Sequence, residues 1–175
     1  MTKENRLRTL IALAALMVLT SLGGAARADG SQRLFVVQRS TNKNVVNYAL
    51  RLDARGGPHK DEPIGAYWVM HEEGGRRAEL TWIEKKLAYG WQVGSEVRAD
   101  GFVVRLVAFE RRPFRIVKLS GGYRALVEIA SKPAYLERIF VTTREGGILP
   151  KVVSVELFGT DARTGKPAYE RIKND

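Results

Sequence analysis

The chain has 175 residues, with 29 Lys and Arg against 19 Asp and Glu, a formal charge of +10, and no cysteine. The missing thiol excludes disulfides, Cys-based metal sites, Cys nucleophiles and a lipid-modified N-terminal cysteine. The basic surplus suits contact with anionic envelope polymers or lipid headgroups, although the basic residues are scattered along the chain rather than gathered in a block.

The first 28 residues read as an export signal. Lys3, Arg6 and Arg8 precede an apolar run from Leu10 to Leu22, and Ala26-Arg27-Ala28 follows as an A-x-A cleavage site. The run is about 13 residues long, too short for a comfortable membrane span. The pattern predicts cleavage before Asp29, and a bacterial, periplasmic or secreted protein that is not a lipoprotein. Residues 29–175 then form a single domain, with no transmembrane segment after signal removal. Cleavage removes four basic residues (Lys3, Arg6, Arg8, Arg27) and one acidic residue (Glu4), lowering the charge from +10 to +7.

The remainder reads mostly as strands. Arg33 to Arg39 is a first strand, and Ser40 to Asn44 a turn by composition. Val45 to Leu52 alternates, with Val46, Tyr48, Leu50 and Leu52 on a buried face and Asn47 and Arg51 on a wet one. After a polar loop from Asp53 to Pro63, Ile64 to His71 is a third strand, and Glu72 to Arg77 turns into a helix.

The predicted helix covers about residues 78–89. Leu80, Ile83 and Leu87 recur at helical spacing and form the inward stripe. Trp82 and Tyr89 fall on the opposite face, where either a loop or neighbouring strand packs over them or they border a groove that meets a ligand or partner. Gly90 stands where a left-handed cap ends a helix.

Further strands follow. Trp91 to Arg98 pairs with Phe102 to Glu110 through an Asp100-Gly101 turn. Phe114 to Leu119 pairs with Tyr123 to Ala130, with basic Arg111, Arg112, Arg115 and Lys118 marking an edge strand. Tyr135 to Arg144, Lys151 to Phe158 and Ala168 to Ile172 complete the set, with Gly146-Gly147 as a turn. The fold class is mainly β: an antiparallel β-sandwich or partly closed barrel with one packed α-helix.

Several segments in order resemble a known family. Leu34 to Tyr48 carries an extended strand ending in Arg39-Ser40, then Asn42-x-Asn44, a branched pair and Tyr48. Tyr67-Trp68, the helix ending Ala88-Tyr89-Gly90, and Pro133 to Val141 follow. Together they resemble the bacterial domain-of-unknown-function family 4833. The resemblance implies an exported bacterial domain and no established activity, so it transfers no catalytic residues.

Catalytic chemistry leaves little trace in the sequence. The histidines, His59 and His71, lack zinc or calcium ligand spacing, so no metal and no cofactor is expected. No strained nucleophile turn or phosphate-binding glycine loop occurs. Weak catalytic candidates are His71, Glu72 and Glu73, near Glu79 and Glu84, which would serve an envelope hydrolase using carboxylates. Arg111 to Lys118 superficially suits nucleic acid, but export argues against that partner. Candidate ligand-binding residues are Tyr67, Trp68, Trp82, Tyr89, Asn42 and Asn44; the alternative has the aromatics capping the core with their polar tips outward and the asparagines bonding turn backbone groups. The leading reading is a non-enzymatic binding module for a small molecule, a glycan or lipid, or an envelope protein. The alternatives are the hydrolase and a structural component of an envelope assembly.

The export signal makes a direct prediction. N-terminal sequencing of protein recovered from a periplasmic fraction should begin at Asp29; a chain still carrying Met1 in the membrane pellet would identify an uncleaved anchor instead.

Overall fold

The computed structural model describes residues 30–144 and 151–174. The export segment and the turn expected at Gly146-Gly147 lie outside the described residues. Among the described residues eleven strands join in one sheet: β1 (Ser31–Arg39), β2 (Val45–Arg51), β3 (Ile64–Met70), β4 (Arg76–Glu79), β5 (Trp91–Val93), β6 (Gly101–Leu106), β7 (Phe114–Leu119), β8 (Gly122–Ile129), β9 (Lys132–Arg144), β10 (Lys151–Asp161) and β11 (Pro167–Lys173). The mainly-β expectation holds, and most of the predicted strands stand within a few residues of their expected ends. The exceptions are β5, which stops at Val93, and β4, where the sequence suggested a turn into the helix. The segment after β6 leaves the ladder as a 3-10 turn, Val107–Phe109.

The hydrogen-bonded path runs β4-β3-β2-β1-β9-β8-β7-β6-β5 and does not close. Its pairs are antiparallel with one exception: β1 lies parallel to β9, with Val36 opposite Arg138 and Arg39 opposite Val141. The sheet is therefore mixed. β9 is the branch point. Its first residues pair with β8, its later residues with β1, and β10 follows its other edge. Where β1 and β8 separate, the Gln32 carboxamide spans the gap. Its amide donates to the Tyr123 carbonyl at 3.0 Å and its oxygen accepts the Tyr123 N–H at 2.9 Å.

Both arms turn their apolar faces to one core. Phe35 stacks on Tyr48 within one arm and on Phe114 across to the other, with ring centroids 4.7 and 5.6 Å apart. Val46, Tyr48 and Leu50 are buried as their alternation predicted. The opposite face of β2 is not wet throughout: Asn47 is only 5 % exposed, and its carboxamide oxygen has no hydrogen-bond partner. The predicted basic edge strand is also corrected, since β7 lies between β6 and β8. Arg112 turns away from solvent and makes a two-pronged contact with Glu170 on β11, at 2.6 and 2.9 Å. Glu170 also accepts the Ala130 N–H at 2.7 Å. This carboxylate fixes the β8–β9 turn, where Ala130 and Ser131 both take positive φ, 50° and 62°. Two L-residues in that region are costly without glycine, and the bond from Glu170 supports the first of them.

The two ends of the open path, β4 and β5, are joined by the helix. It is shorter than expected. One α-turn, Trp82–Glu84, runs into a π-turn, Lys85–Tyr89, and together they form helix α1 (82–89). Ala78 and Glu79 belong to β4, and Thr81 is the N-cap. Gly90 is needed, but not as a left-handed cap: its φ is −70° and ψ 164°. A Cβ at Gly90 would lie 2.0 Å from the Lys85 carbonyl oxygen, because the chain folds tightly back under the π-turn. Gly90→Ala should therefore destabilise the fold by about 1–3 kcal/mol, the usual cost of overpacking. A urea midpoint equal to that of the parent protein would refute the close approach.

Candidate functional site

The aromatic residues nominated from the sequence divide among three places. Trp68 and Tyr89 meet inside the mouth of the sheet, their rings 5.3 Å apart and nearly perpendicular. Tyr67, the chain neighbour of Trp68, points to the other side of β3, as strand alternation requires. There it lines an open pocket of about 270 Å³ with Ser31, Arg51, His59, Arg77 and Glu79. The Arg77 guanidinium lies 3.6 Å from the Tyr67 ring centroid and covers it, and Arg51 pairs with Glu62. Trp82 stands apart from both groups on the exposed side of α1.

The asparagines serve the backbone. Asn42 accepts the Asn44 N–H at 3.1 Å, and Asn44 accepts the Glu72 N–H at 3.3 Å. They tie the β1–β2 turn to the 3-10 turn His71–Glu73. That turn carries the three catalytic candidates, His71, Glu72 and Glu73, all exposed. Glu73 pairs with Arg76 at 2.5 Å. The structure does not gather the helix-proximal carboxylates around a common cleft: Glu79 lines the outer pocket, whereas Glu84 turns inward to Trp68. Among the described residues, no three acids or histidines group as metal ligands would.

Glu84 is the most constrained of these acids. Thr81-Trp82-Ile83-Glu84 forms a capping box. The Thr81 N–H and hydroxyl donate to one carboxylate oxygen at 2.8 and 2.9 Å. The Trp68 indole N–H donates to the other at 3.0 Å. Arg39, at the end of β1, lies 5.6 Å from the Trp68 ring and 5.5 Å from the Tyr89 ring. Burial pushes the Glu84 carboxyl up, but the bonds from Thr81 and Trp68 and the charge of Arg39 outweigh it and hold the group below its ordinary value. A carboxylate kept ionised, with both oxygens occupied, is an anchor rather than a proton donor. Burial raises the neighbouring Tyr89 hydroxyl above its usual value. Below this cluster the buried Tyr48 hydroxyl donates to the Tyr89 carbonyl at 2.8 Å.

These bonds set which face of α1 looks in, and the outcome reverses the predicted one. Leu80 is buried, but it precedes the helix. Ile83 and Leu87 are 48 % and 52 % exposed, while Tyr89 is 5 % exposed. The π-turn spaces its bonds five residues apart, so Tyr89 comes round onto the side of Glu84. Trp82, at 71 % exposure, remains on the outer side. No groove therefore forms between Trp82 and Tyr89: Tyr89 is covered, as the packed-over alternative has it, and Trp82 is not. A surface that the sequence did not suggest takes its place: Trp82, Ile83 and Leu87, with Val93 exposed on the strand that follows. Among the described residues six large apolar side chains are exposed, and four of them fall between residues 82 and 93. The capping-box spacing, visible in the sequence, was the signal that would have started the helix at Trp82.

A family model described as "Domain of unknown function (DUF4833)" matches residues 35–171, and the chain belongs to that family. No curated protein and no solved structure matches it.

The lowered Glu84 group has a pH consequence. Its contribution is present above the carboxyl's unfolded value and is lost as pH falls through the lower folded one. Urea unfolding should show Glu84→Gln destabilised at pH 7 by about 1–3 kcal/mol, with the gap to the parent narrowing toward pH 3. A gap independent of pH would show that the ionised carboxylate is not the anchor.

Proposed function

We propose that this DUF4833 domain is an exported, non-enzymatic binding module, and that the outer face of α1 is its contact surface. Export is supported by the charged, apolar and A-x-A order of residues 1–28, where only the sequence speaks. The observation that carries the binding reading is the concentration of Trp82, Ile83, Leu87 and Val93 in solvent on one short segment. Exposed apolar side chains are ordinary when scattered; clustered ones mark a surface that meets something. The polar anchoring of Glu84 holds that face outward.

A hydrolase reading has weaker support. His71, Glu72 and Glu73 are exposed on one turn, Glu73 is held by Arg76, and Glu84 is committed to the helix cap. Among the described residues nothing places an acid and a base on opposite sides of a cleft, which carboxylate hydrolysis needs.

The double variant Trp82→Ala/Leu87→Ala tests the binding surface. Both side chains are largely in solvent, so its urea midpoint should stay close to that of the parent. Its co-sedimentation with isolated cell envelopes should fall about tenfold or more, given the apolar area removed. Unchanged co-sedimentation would show that this face is not the contact surface.

A further inference from the structure

The outer face of α1 carries charge as well as apolar surface. Lys85 and Lys86 are exposed on the same helix as Trp82, Ile83 and Leu87. Among the described residues neither lysine lies within ion-pair distance of a carboxylate. The acid on the helix, Glu84, is turned inward to Trp68 and Thr81, and Glu79 lines the pocket on the outer side of the sheet. The positive charge on this face is thus not cancelled locally, and the formal charge of +7 left after removal of residues 1–28 adds attraction at longer range.

A lipid bilayer offers both matching chemistries in a fixed order. Headgroup phosphates lie outermost, where ammonium groups reach them. The interfacial layer, where tryptophan is enriched, comes next, and the acyl boundary accepts Ile and Leu. A protein partner would have to supply an apolar patch and two carboxylates at the same spacing. We infer that the outer face of α1 docks on an anionic lipid bilayer, with Trp82, Ile83 and Leu87 entering the interface and Lys85 and Lys86 contacting lipid phosphates. This rests on the reading of that face as the contact surface. Three apolar side chains on an eight-residue helix make the association shallow and reversible.

The test uses protein purified from cells expressing the full chain, mixed with phosphatidylglycerol–phosphatidylethanolamine vesicles or with pure phosphatidylcholine vesicles. Intact mass is recorded first, because a retained Leu10–Leu22 segment would bind lipid by itself; all variants are compared with the same N-terminus. The parent should co-sediment with the anionic vesicles about tenfold or more better than with the neutral ones. Its tryptophan emission should shift to the blue on binding. Lys85→Gln/Lys86→Gln should weaken binding about 25-fold, roughly fivefold per charge near an anionic surface. Trp82→Ala should remove the blue shift. The inference is overturned if the parent ignores anionic vesicles or if the variants bind them equally well. If vesicles fail while isolated envelopes still distinguish the parent from Trp82→Ala/Leu87→Ala, the partner is an envelope protein or glycan: the lipid inference falls and the contact surface stands. If envelopes do not distinguish them either, both fall.

Discussion

The carboxylate of Glu84 is the constraint on which the arrangement of the helix depends. A buried or half-buried carboxylate costs several kcal/mol unless its oxygens are bonded, so its position is set by where donors exist. Donors come from Thr81 at the helix start and from Trp68 on β3, with the charge of Arg39 nearby. Satisfying them fixes both the start of α1 and the side it turns to the sheet. The π-turn then brings the Tyr89 carbonyl to the Tyr48 hydroxyl in the core. Three apolar side chains are left outside as a consequence. The exposed face is what remains when a short helix is anchored by polar bonds rather than by an apolar stripe.

A second carboxylate does comparable work at the far side of the sheet. Glu170 joins β11 to Arg112 and to the β8–β9 turn. Hydrogen bonds from Arg112 hold its carboxyl below the ordinary range against the opposing effect of burial. The turn it supports contains Ala130 and Ser131 in a conformation that glycine or asparagine takes more easily. Strain at one turn is offset by a contact from a strand 40 residues later. Together Glu84 and Glu170 tie down the segments that a branched, unclosed sheet would otherwise leave loose.

This division of labour also bears on function. Glu84 and Glu170, whose carboxyls lie below their ordinary values, are engaged in holding elements together. The histidines and the acids beside His71 are exposed and not convergent. Among the described residues, the apolar and cationic outer face of α1 is a feature to which no such holding role falls. Membership in DUF4833 establishes the family without assigning roles to its residues.

The sequence by itself determined the strand-rich class, most strand positions and the family, because these rest on local patterns. Alternation marks β2 as a strand, although it is buried on both faces, and the Ala99-Asp100-Gly101 segment marks a chain reversal, both from nearest neighbours alone. The Thr81-x-x-Glu84 spacing also held the helix start, although the longer apolar periodicity from Leu80 obscured it. Tertiary structure alone decided the parallel β1–β9 pair, the strand at β4 and the Ala130-Ser131 turn, since each depends on partners distant in the chain. It also decided the inward face of α1. Leu80, Ile83 and Leu87 promised an apolar stripe, but over eight residues that stripe is weaker than the satisfaction of one charged carboxylate. The π-turn that follows breaks the 3.6-residue period on which the stripe was read.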